Sequence, residues 1–518
     1  MDNAEKQKIA EIQGAKAEHA RKSLDSSVKD AMTYSVMQGA GMNFINAFAV
    51  ALKATNFQIS MLSSIPQLLA AWSQLFSSAL LEKFKKRGRL VSVFVLFQAL
   101  TWIPMLLIPF FFIGESAVWI LVIFYSLFHL FGAIVGPIWQ SQMGDLVPTE
   151  HRGAYFGKRN ALAGTVALAA TLLAGYWLDL YPKEMALLAF SALFFASFWF
   201  RIISRYYLDK MFDPPFIPKP AVQFSFTQFV SKMRSNNFGN FVLYSSALSI
   251  AVNICSPFFT VYMLRNLGYD YLTFTLVTIA PMISSLLMMK YWGKITDRFG
   301  NRKIMKLCGL MVCLIPFYWI VFKDPLAIIL CEFFISGFFW AGHNLASGNF
   351  IFDTTTPEKR TRCAAYFNIF NGTGIFIGAA IGGAMALLLP ETINGVSILL
   401  AIFTASLAAR FVVYFFFLDR FAEVRPVEEV KDNELVYIIA TTNPLQGFAI
   451  ELFTTAFKTA RKPVEGLKRI PKFLGKEISE LDSKIEETVE KTLEAIDRIV
   501  KGKPKNKAQN PASQKEKK

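Results

Sequence analysis

The sequence Gly293-Lys-Ile-Thr-Asp297-Arg298-Phe-Gly300-Asn-Arg302-Lys303 is a short basic turn between two long apolar runs, at about 272–292 and 304–323. About 20 apolar residues are enough for a helix to cross the ~30 Å hydrocarbon core of a bilayer. The turn therefore connects two predicted membrane spans.

Apolar runs of similar length recur along the whole chain. Hydrophobic residues make up 53% of the sequence and charged residues only 18%, whereas soluble proteins carry about a quarter charged residues. Period-2 alternation is absent, which excludes a barrel and leaves helices. The sequence thus predicts an all-α membrane protein with twelve transmembrane helices, near 31–53, 58–81, 90–113, 117–140, 159–180, 185–208, 239–264, 272–292, 304–323, 326–349, 364–389 and 398–418.

The net charge of +16 is concentrated in loops on one side of the predicted membrane. Lysines and arginines cluster between helices 2 and 3, 4 and 5, 8 and 9, and 10 and 11, while the opposite loops hold few. By the positive-inside rule, these loops and both termini are predicted to be cytoplasmic. The charge therefore indicates topology rather than a nucleic-acid partner, and we expect a multi-pass protein of the inner or plasma membrane.

The two halves of the chain repeat each other. Matched residues lie 209 to 215 positions apart, and the pairs are Asn43 with Asn253, Pro66 with Pro281, Glu82 with Asp297, Tyr155 with Tyr366, and Arg201 with Arg410. Such a repeat predicts two pseudo-symmetric six-helix bundles. The expected parts are a cytoplasmic segment at 1–30, bundles at 31–208 and 239–418, a linker at 209–238 and a tail at 419–518.

The basic turn, set in this twelve-helix repeat, resembles the signature loop of the major facilitator superfamily. The resemblance implies a carrier whose two halves rock between two openings, and in the family the motif's carboxylate is implicated in latching the inward-closed state. It implies that Asp297 faces the start of helix 5 near residues 158–160, and that Glu82 faces the start of helix 11. The predicted gating residues are Gly293, Asp297, Arg298, Arg302 and Glu82. Gly293 lacks a side chain where helices are expected to come close. The alternative is that these charges only orient the chain.

Polar residues inside the predicted spans are the candidates for substrate contact. The resemblance implies that helices 1, 4, 7 and 10 line a central cavity, which nominates Asn43, Asn46, His129, Asn253, Trp340 and His343. The alternative for each is a hydrogen-bonded packing residue. Because these groups are amides, imidazoles and aromatics, they favour a neutral or amphipathic organic solute over a multiply charged one. Arg201 and Arg410 are expected to extend to the membrane surface by snorkelling.

Glu332 is the one carboxylate well inside a predicted span, and it is the candidate for carrying a coupling proton. Alternatively, it lies at the outer headgroup level or bonds to a structural partner. We find no ATP-binding, metal-binding or catalytic motif, so the sequence predicts neither an enzyme nor a cofactor.

The long tail is the main argument for a different function. Its apolar residues from Ile478 to Val500 recur at spacings of three and four, which predicts an amphipathic helix that binds a partner helix or the membrane surface. The preferred function is a secondary active transporter of a small organic solute, with a proton as candidate coupling ion. The alternative is a non-transporting sensor or scaffold that signals through its tail.

Overall fold

The computed structural model describes residues 3–112, 114–148, 151–214, 225–393 and 395–428. The predicted tail helix at 478–500 lies outside these residues. The described part is helical apart from a short hairpin of Thr392–Ile393 with Val396–Ser397. We number the long helices α1 (Asn3–Ala40, continued by Ile45–Ala51), α2 (Asn56–Phe84), α3 (Arg87–Phe111), α4 (Glu115–Leu146), α5 (Arg152–Asp179), α6 (Ala186–Asp209), α7 (Asn237–Asn266), α8 (Tyr271–Phe299), α9 (Asn301–Val321), α10 (Pro325–Thr354), α11 (Pro357–Leu388) and α12 (Ile398–Phe417).

Among the described residues, ten helices, α3 to α12, are long and apolar enough to cross a membrane. The other two predicted spans are helical but more polar. In α2, for example, Gln58, Gln67 and Gln74 interrupt the apolar sequence. Ten of the twelve predicted spans are thus supported, while the last two and the cytoplasmic termini stay predictions.

Local side-chain chemistry explains where several helices begin. At the start of α2, Thr55 and Gln58 form a capping box, in which each side chain accepts a hydrogen bond from the other residue's backbone N–H. Asp270 caps α8 by accepting from the N–H of Thr273 at 2.6 Å. These contacts satisfy N–H groups that have no partner within the first helical turn.

The first helix of each half is interrupted at matching places. α1 breaks at Gly41, where a Cβ would meet the Trp102 ring and the Ser197 hydroxyl at 2.5 Å. α7 leaves regular helix after Asn253 and resumes at Phe258. The pseudo-symmetric pair Asn43 and Asn253 lies at these two breaks.

The hydrophobic core is shared by the two halves at one end only. We call the end with loops 83–89 and 298–303 the basic end. At the opposite end, one cluster joins both halves, with Phe44 against Phe274 at 6.1 Å between ring centroids and Phe190 against Tyr271 at 5.4 Å. At the basic end, each half has its own separate core cluster.

The packing of α5 against α8 is likewise close at the opposite end and open at the basic end. At the opposite end, a Cβ on Gly175 would overlap the Thr275 side chain, and further along, one on Gly164 would lie 3.4 Å from Leu286. At the basic end, a Cβ on Gly157 or Gly293 would have no described atom within 4 Å. The halves are therefore closed at the opposite end and apart at the basic end. The close approach predicted at Gly293 is absent in this conformation.

Candidate functional site

A cavity of about 340 Å³ lies within the first half, between α1, α2, α3, α4, α5 and α6. Its volume is within the range of small-molecule sites. Apolar groups form part of the wall, including Phe128, Val135 and Trp139 of α4 and Leu208 of α6. The charged, imidazole and amide groups come from five helices, and they are Asp30, Gln98, His129, Arg159 and Arg201.

Asp30 and Arg159 form a partly buried ion pair at the edge of this cavity. The Arg159 Nη2 lies 3.4 Å from Asp30 Oδ2, and its guanidinium stacks over the Trp139 ring at 4.5 Å. The other Asp30 oxygen accepts from the Ser204 hydroxyl at 2.6 Å. This carboxylate is therefore bound by α5 and α6 together.

Arg201 donates hydrogen bonds to neutral groups, and Asp30 is the carboxylate that attracts it. Its Nε donates to the Gln98 Oε1 at 2.8 Å and its Nη1 donates to the Ser204 Oγ at 2.7 Å. Its guanidinium also lies over the Tyr34 ring at 4.9 Å. The predicted snorkelling of Arg201 is wrong, because the residue is only 4% exposed and its charge is bonded inside the bundle.

His129 is the one sequence candidate that lines the cavity. Its ring packs against Tyr125 at 4.6 Å and Phe128 at 5.6 Å between centroids. Its Nε2 is buried and has no hydrogen-bond partner among the described residues. A buried ring nitrogen in this state can bond to a ligand or to water.

The three asparagine candidates bond within their own halves. Asn43 donates to the Thr171 Oγ1 of α5 at 2.9 Å, and Asn46 accepts from the Ser63 hydroxyl of α2 at 3.4 Å. Asn253 donates to a backbone carbonyl of its own helix at 2.8 Å. Their roles as substrate contacts stay predictions, because none of the three lines the cavity.

Trp340 and His343 lie together in the second half. Their ring centroids are 5.5 Å apart, and the buried His343 Nε2 is 3.2 Å from the Tyr244 hydroxyl. The structure therefore separates these two candidates from His129, which lies in the other bundle.

Glu332 is buried and bonded to α9. Its Oε1 accepts from the Tyr318 hydroxyl at 2.7 Å and from the Trp319 Nε1 at 2.9 Å. The residue begins a π-helical turn in α10, a distortion that often marks functional positions. The expectation of a structural partner is met, and proton coupling stays a prediction.

The predicted gate contacts are not made in this conformation. The Asp297 side chain is 75% exposed, and among the described residues it pairs with the Arg425 Nη1 at 3.9 Å, after α12, rather than with the start of α5. Glu82 is exposed and has no hydrogen bond or ion pair with a described residue, so it does not bind the described part of α11. Since the halves are apart at the basic end, both carboxylates are separated from their predicted partners.

The loop 298–303 instead binds the segment that follows α12. Arg298 forms a two-pronged ion pair with Glu428, at 2.6 and 3.0 Å, and holds the pKa of that carboxylate below its usual range. The Arg302 Nη2 binds Asp419 at 2.7 Å, and the Arg302 backbone N–H donates to Glu423 at 2.8 Å.

The first-half loop makes the equivalent contacts. The Gly88 backbone N–H donates to Asp213 at 2.9 Å, just as that of Arg302 donates to Glu423. Arg87 is buried and binds Asp145 at 2.7 Å. Each loop is thus fixed by an acidic segment directly after the sixth helix of its own half.

Sequence reasoning missed Asp30 and Arg201 as cavity residues. Asp30 was placed in the cytoplasmic segment, yet α1 continues through it without a break. A signal was present: Ser23, Ser27 and Asp30 recur at helical spacing and are all buried. Arg201 carried a weaker signal, because its repeat partner Arg410 suggested membrane-edge positions rather than a binding site.

Comparisons with known proteins identify the fold. The sequence profile of the Major Facilitator Superfamily matches residues 31–258 and again 241–472. Similar solved structures include a variant of the nucleoside transporter NupG (TM-score 0.61, 14% identity, 77% of this chain and 100% of that chain). Another is a D-xylose-proton symporter (TM-score 0.58, 11% identity, 79% of this chain and 99% of that chain). A third is a bacterial homologue of the iron transporter ferroportin in an inward-facing state (TM-score 0.56, 12% identity, 78% of this chain and 98% of that chain). No curated protein matches the chain in sequence.

Proposed function

The chain belongs to the major facilitator superfamily, and we propose on that basis that it is a secondary active transporter of a small organic solute. The observation that carries the proposal is the distribution of the core. The halves share one hydrophobic cluster at the opposite end and have separate clusters at the basic end. An alternating-access carrier requires such an arrangement, in which one end is closed while the other is open.

The contacts between the halves support reversible movement. α2 and α11 pack through small residues, since a Cβ on Gly372 would overlap Ala71 and one on Gly383 would overlap Ser60. A few hydrogen bonds cross this interface, such as Asn368 to Gln74 at 3.0 Å. Flat surfaces with small residues allow helices to slide or separate without breaking an extensive polar network.

The proposal includes the proton as coupling ion, with Glu332 as its carrier. The buried Glu332 carboxyl group on α10 accepts from Tyr318 and Trp319 on α9. A change in its protonation state would therefore alter the contacts between these two helices. The sensor or scaffold alternative gains no support from the described residues.

Flux through proteoliposomes tests the proposal against the scaffold alternative. The full chain and a variant truncated after Glu428 are each reconstituted and supplied with a metabolite mixture, and accumulated solutes are identified by mass spectrometry. We expect equal accumulation of the same solute by both proteins, above that of protein-free liposomes. Truncation after residue 428 keeps the segment that binds Arg298 and Arg302. Binding of a solute without any flux would contradict the transporter and favour the scaffold.

A further inference from the structure

The first-half cavity contains more positive than negative charge. Its lining residues, all of which the structure describes, include two guanidinium groups, Arg159 and Arg201, and a single carboxylate, Asp30. With His129 counted as neutral, the cavity has one excess positive charge. Both guanidinium groups attract that one carboxylate: Arg159 pairs with Asp30 at 3.4 Å, and Arg201 is linked to Asp30 through the Ser204 hydroxyl.

An excess buried charge is costly, because removing a guanidinium from water is repaid only by a counter-charge in good geometry. The described ligands of Arg201 are the neutral Gln98 and Ser204 side chains. These groups satisfy its hydrogen bonds, and its counter-charge, Asp30, is shared with Arg159, so that one carboxylate serves two guanidinium groups. The cavity beside Arg201 is therefore a place where a bound anion would be stabilised.

The second half lacks this imbalance. Arg410, the repeat partner of Arg201, donates to the Val312 carbonyl at 2.8 Å and lies close enough to Glu332 to attract its carboxylate. Arg410 is 1% exposed and does not line the cavity. The two arginines thus occupy equivalent positions but have different electrostatic surroundings.

We propose that this cavity binds a small organic monoanion, whose carboxylate or similar group lies against Arg201. The inference rests on the proposed transport function and narrows its substrate class. Phe128, Val135 and Leu208 supply apolar wall for the organic part of the ligand, and the unpartnered Nε2 of His129 supplies a further polar contact. At ~30 Å³ per water molecule, the volume of about 340 Å³ limits the ligand to a small molecule.

Three isosteric probes test the charge of the ligand on the purified wild-type protein. Benzoate, benzamide and benzamidinium have nearly the same shape and differ in charge from minus one to plus one. We expect benzoate to bind at least about tenfold more tightly than benzamide, a ratio that corresponds to ~1.4 kcal/mol, and benzamidinium not to bind. Isothermal titration measures affinity, and the thermal shift on ligand addition confirms it. Equal binding of benzoate and benzamide, or no binding of benzoate, would overturn the proposal.

Two substitutions with opposite expected effects test the position of the charge. Arg201→Gln is expected to abolish the preference for benzoate over benzamide. Asp30→Asn is expected to tighten benzoate binding, because it raises the excess charge of the cavity. Loss of folding cannot produce a gain of affinity, so Asp30→Asn keeps the test decisive if Arg201→Gln is unstable. Arg410→Gln is the matched control and should leave the preference unchanged; an equal effect of Arg410→Gln and Arg201→Gln would overturn the proposal.

The proposal and the transport function fail in different ways. If reconstituted protein accumulates a neutral or cationic solute and benzoate has no effect, transport stands and the anion site is wrong. If benzoate binds with the expected charge preference but no solute crosses the membrane, the anion site stands and transport is wrong.

Discussion

Arg87 is 1% exposed although it belongs to a loop of exposed lysines and arginines. Its guanidinium donates to Asp145 and to the Pro214 carbonyl, both at 2.7 Å, and to the Ser141 carbonyl at 3.0 Å. A charged donor that joins three parts of the chain stabilises them together. Single residues of this loop are therefore not equivalent, even though all of them contribute the same charge to the topology.

Substitution of Arg87 should cost far more than substitution of its neighbour Arg89. Hydrogen bonds to charged groups contribute ~1.5–3 kcal/mol each, so we expect Arg87→Gln to lower the free energy of unfolding by about 2 kcal/mol or more. Arg89 is exposed, so Arg89→Gln should stay within ~0.5 kcal/mol of wild type. Thermal unfolding of both variants in the same detergent measures the difference. Equal melting temperatures would show that the Arg87 contacts are not structural.

Glu332→Gln tests proton coupling at the level of one residue. A glutamine keeps an oxygen that can accept from Tyr318 and Trp319, so the packing of α9 against α10 should survive. We expect accumulation driven by a pH gradient to be lost, while exchange of labelled for unlabelled solute continues. Tyr318→Phe, which removes one donor and leaves the carboxyl group, is the control and should retain the gradient-driven uptake. Accumulation that persists in Glu332→Gln would exclude Glu332 as the proton carrier.

The limits of sequence reasoning are clearest for the arginines of helices 6 and 12. Hydropathy places Arg201 and Arg410 near span ends, and snorkelling was the natural interpretation. Their burial depends on Gln98 in one half and on Val312 in the other, which lie on helices far away in sequence. His129 could be identified as a cavity candidate from its position in helix 4, whereas the position of Arg201 in the same cavity could be seen only in the tertiary structure.

At the scale of elements, the segment after α12, residues 419–428, is bound to the loop 298–303, from which α9 begins. Gly300 has a φ of +88°, which favours glycine. A Cβ at this position would lie only 2.6 Å from the Glu423 Oε2, so the absence of a side chain leaves room for that carboxylate. Gly293, seven residues earlier, is helical and has no described atom within 4 Å of a Cβ position. The two glycines of the signature loop thus do different things in this conformation.

Alanine substitutions at Gly300 and Gly293 should separate the binding of segment 419–428 to the loop from the predicted gating movement. We expect Gly300→Ala to release residues 419–428, because the left-handed φ is strained and the new Cβ meets Glu423. Hydrogen exchange of that segment should increase. Gly293→Ala should leave its exchange unchanged and stabilise the helix by up to ~1 kcal/mol.

Transport then distinguishes the role of Gly293. If the basic ends of α5 and α8 close at this residue, Gly293→Ala slows solute flux although the folded protein is no less stable. Unaltered flux in Gly293→Ala would contradict the predicted close approach. Unchanged hydrogen exchange in Gly300→Ala would show that the segment is held by Arg298 and Arg302 alone.

Element positions were largely predictable, because apolar run length and capping residues are local properties. Ten of the predicted spans match helices that can cross a membrane. The extension of α1 before Ala31 was not predictable from hydropathy, since its buried residues between positions 21 and 30 are serines and Asp30. The latch contact of Asp297 stays a prediction, because it is expected when the basic end is closed, whereas the halves are apart at that end in the conformation described.

At the scale of the whole molecule, the repeat in the sequence becomes two bundles whose cores merge at one end. The repeat pairs Asn43 with Asn253, and the structure places both residues at helix breaks, which the sequence did not predict. The direction of opening could not be read from the sequence, because it depends on contacts such as Phe44 with Phe274 and Gly175 with Thr275.

Movement of the halves can be followed with two pairs of spin labels on α5 and α8. One pair, Lys158→Cys with Lys294→Cys, reports on the basic end, and the other, Asp179→Cys with Asp270→Cys, on the opposite end. All four positions are exposed. The five native cysteines, four of them buried, are first replaced.

Double electron–electron resonance, which measures the distance between two spin labels, tests the central claim of alternating access most directly when applied to these two pairs in lipid nanodiscs. When a solute identified by the flux assay is added, alternating access predicts that the 158–294 distance shortens while the 179–270 distance lengthens. Distances that stay fixed, or that shorten together at both ends, would contradict a carrier whose halves open at one end as they close at the other.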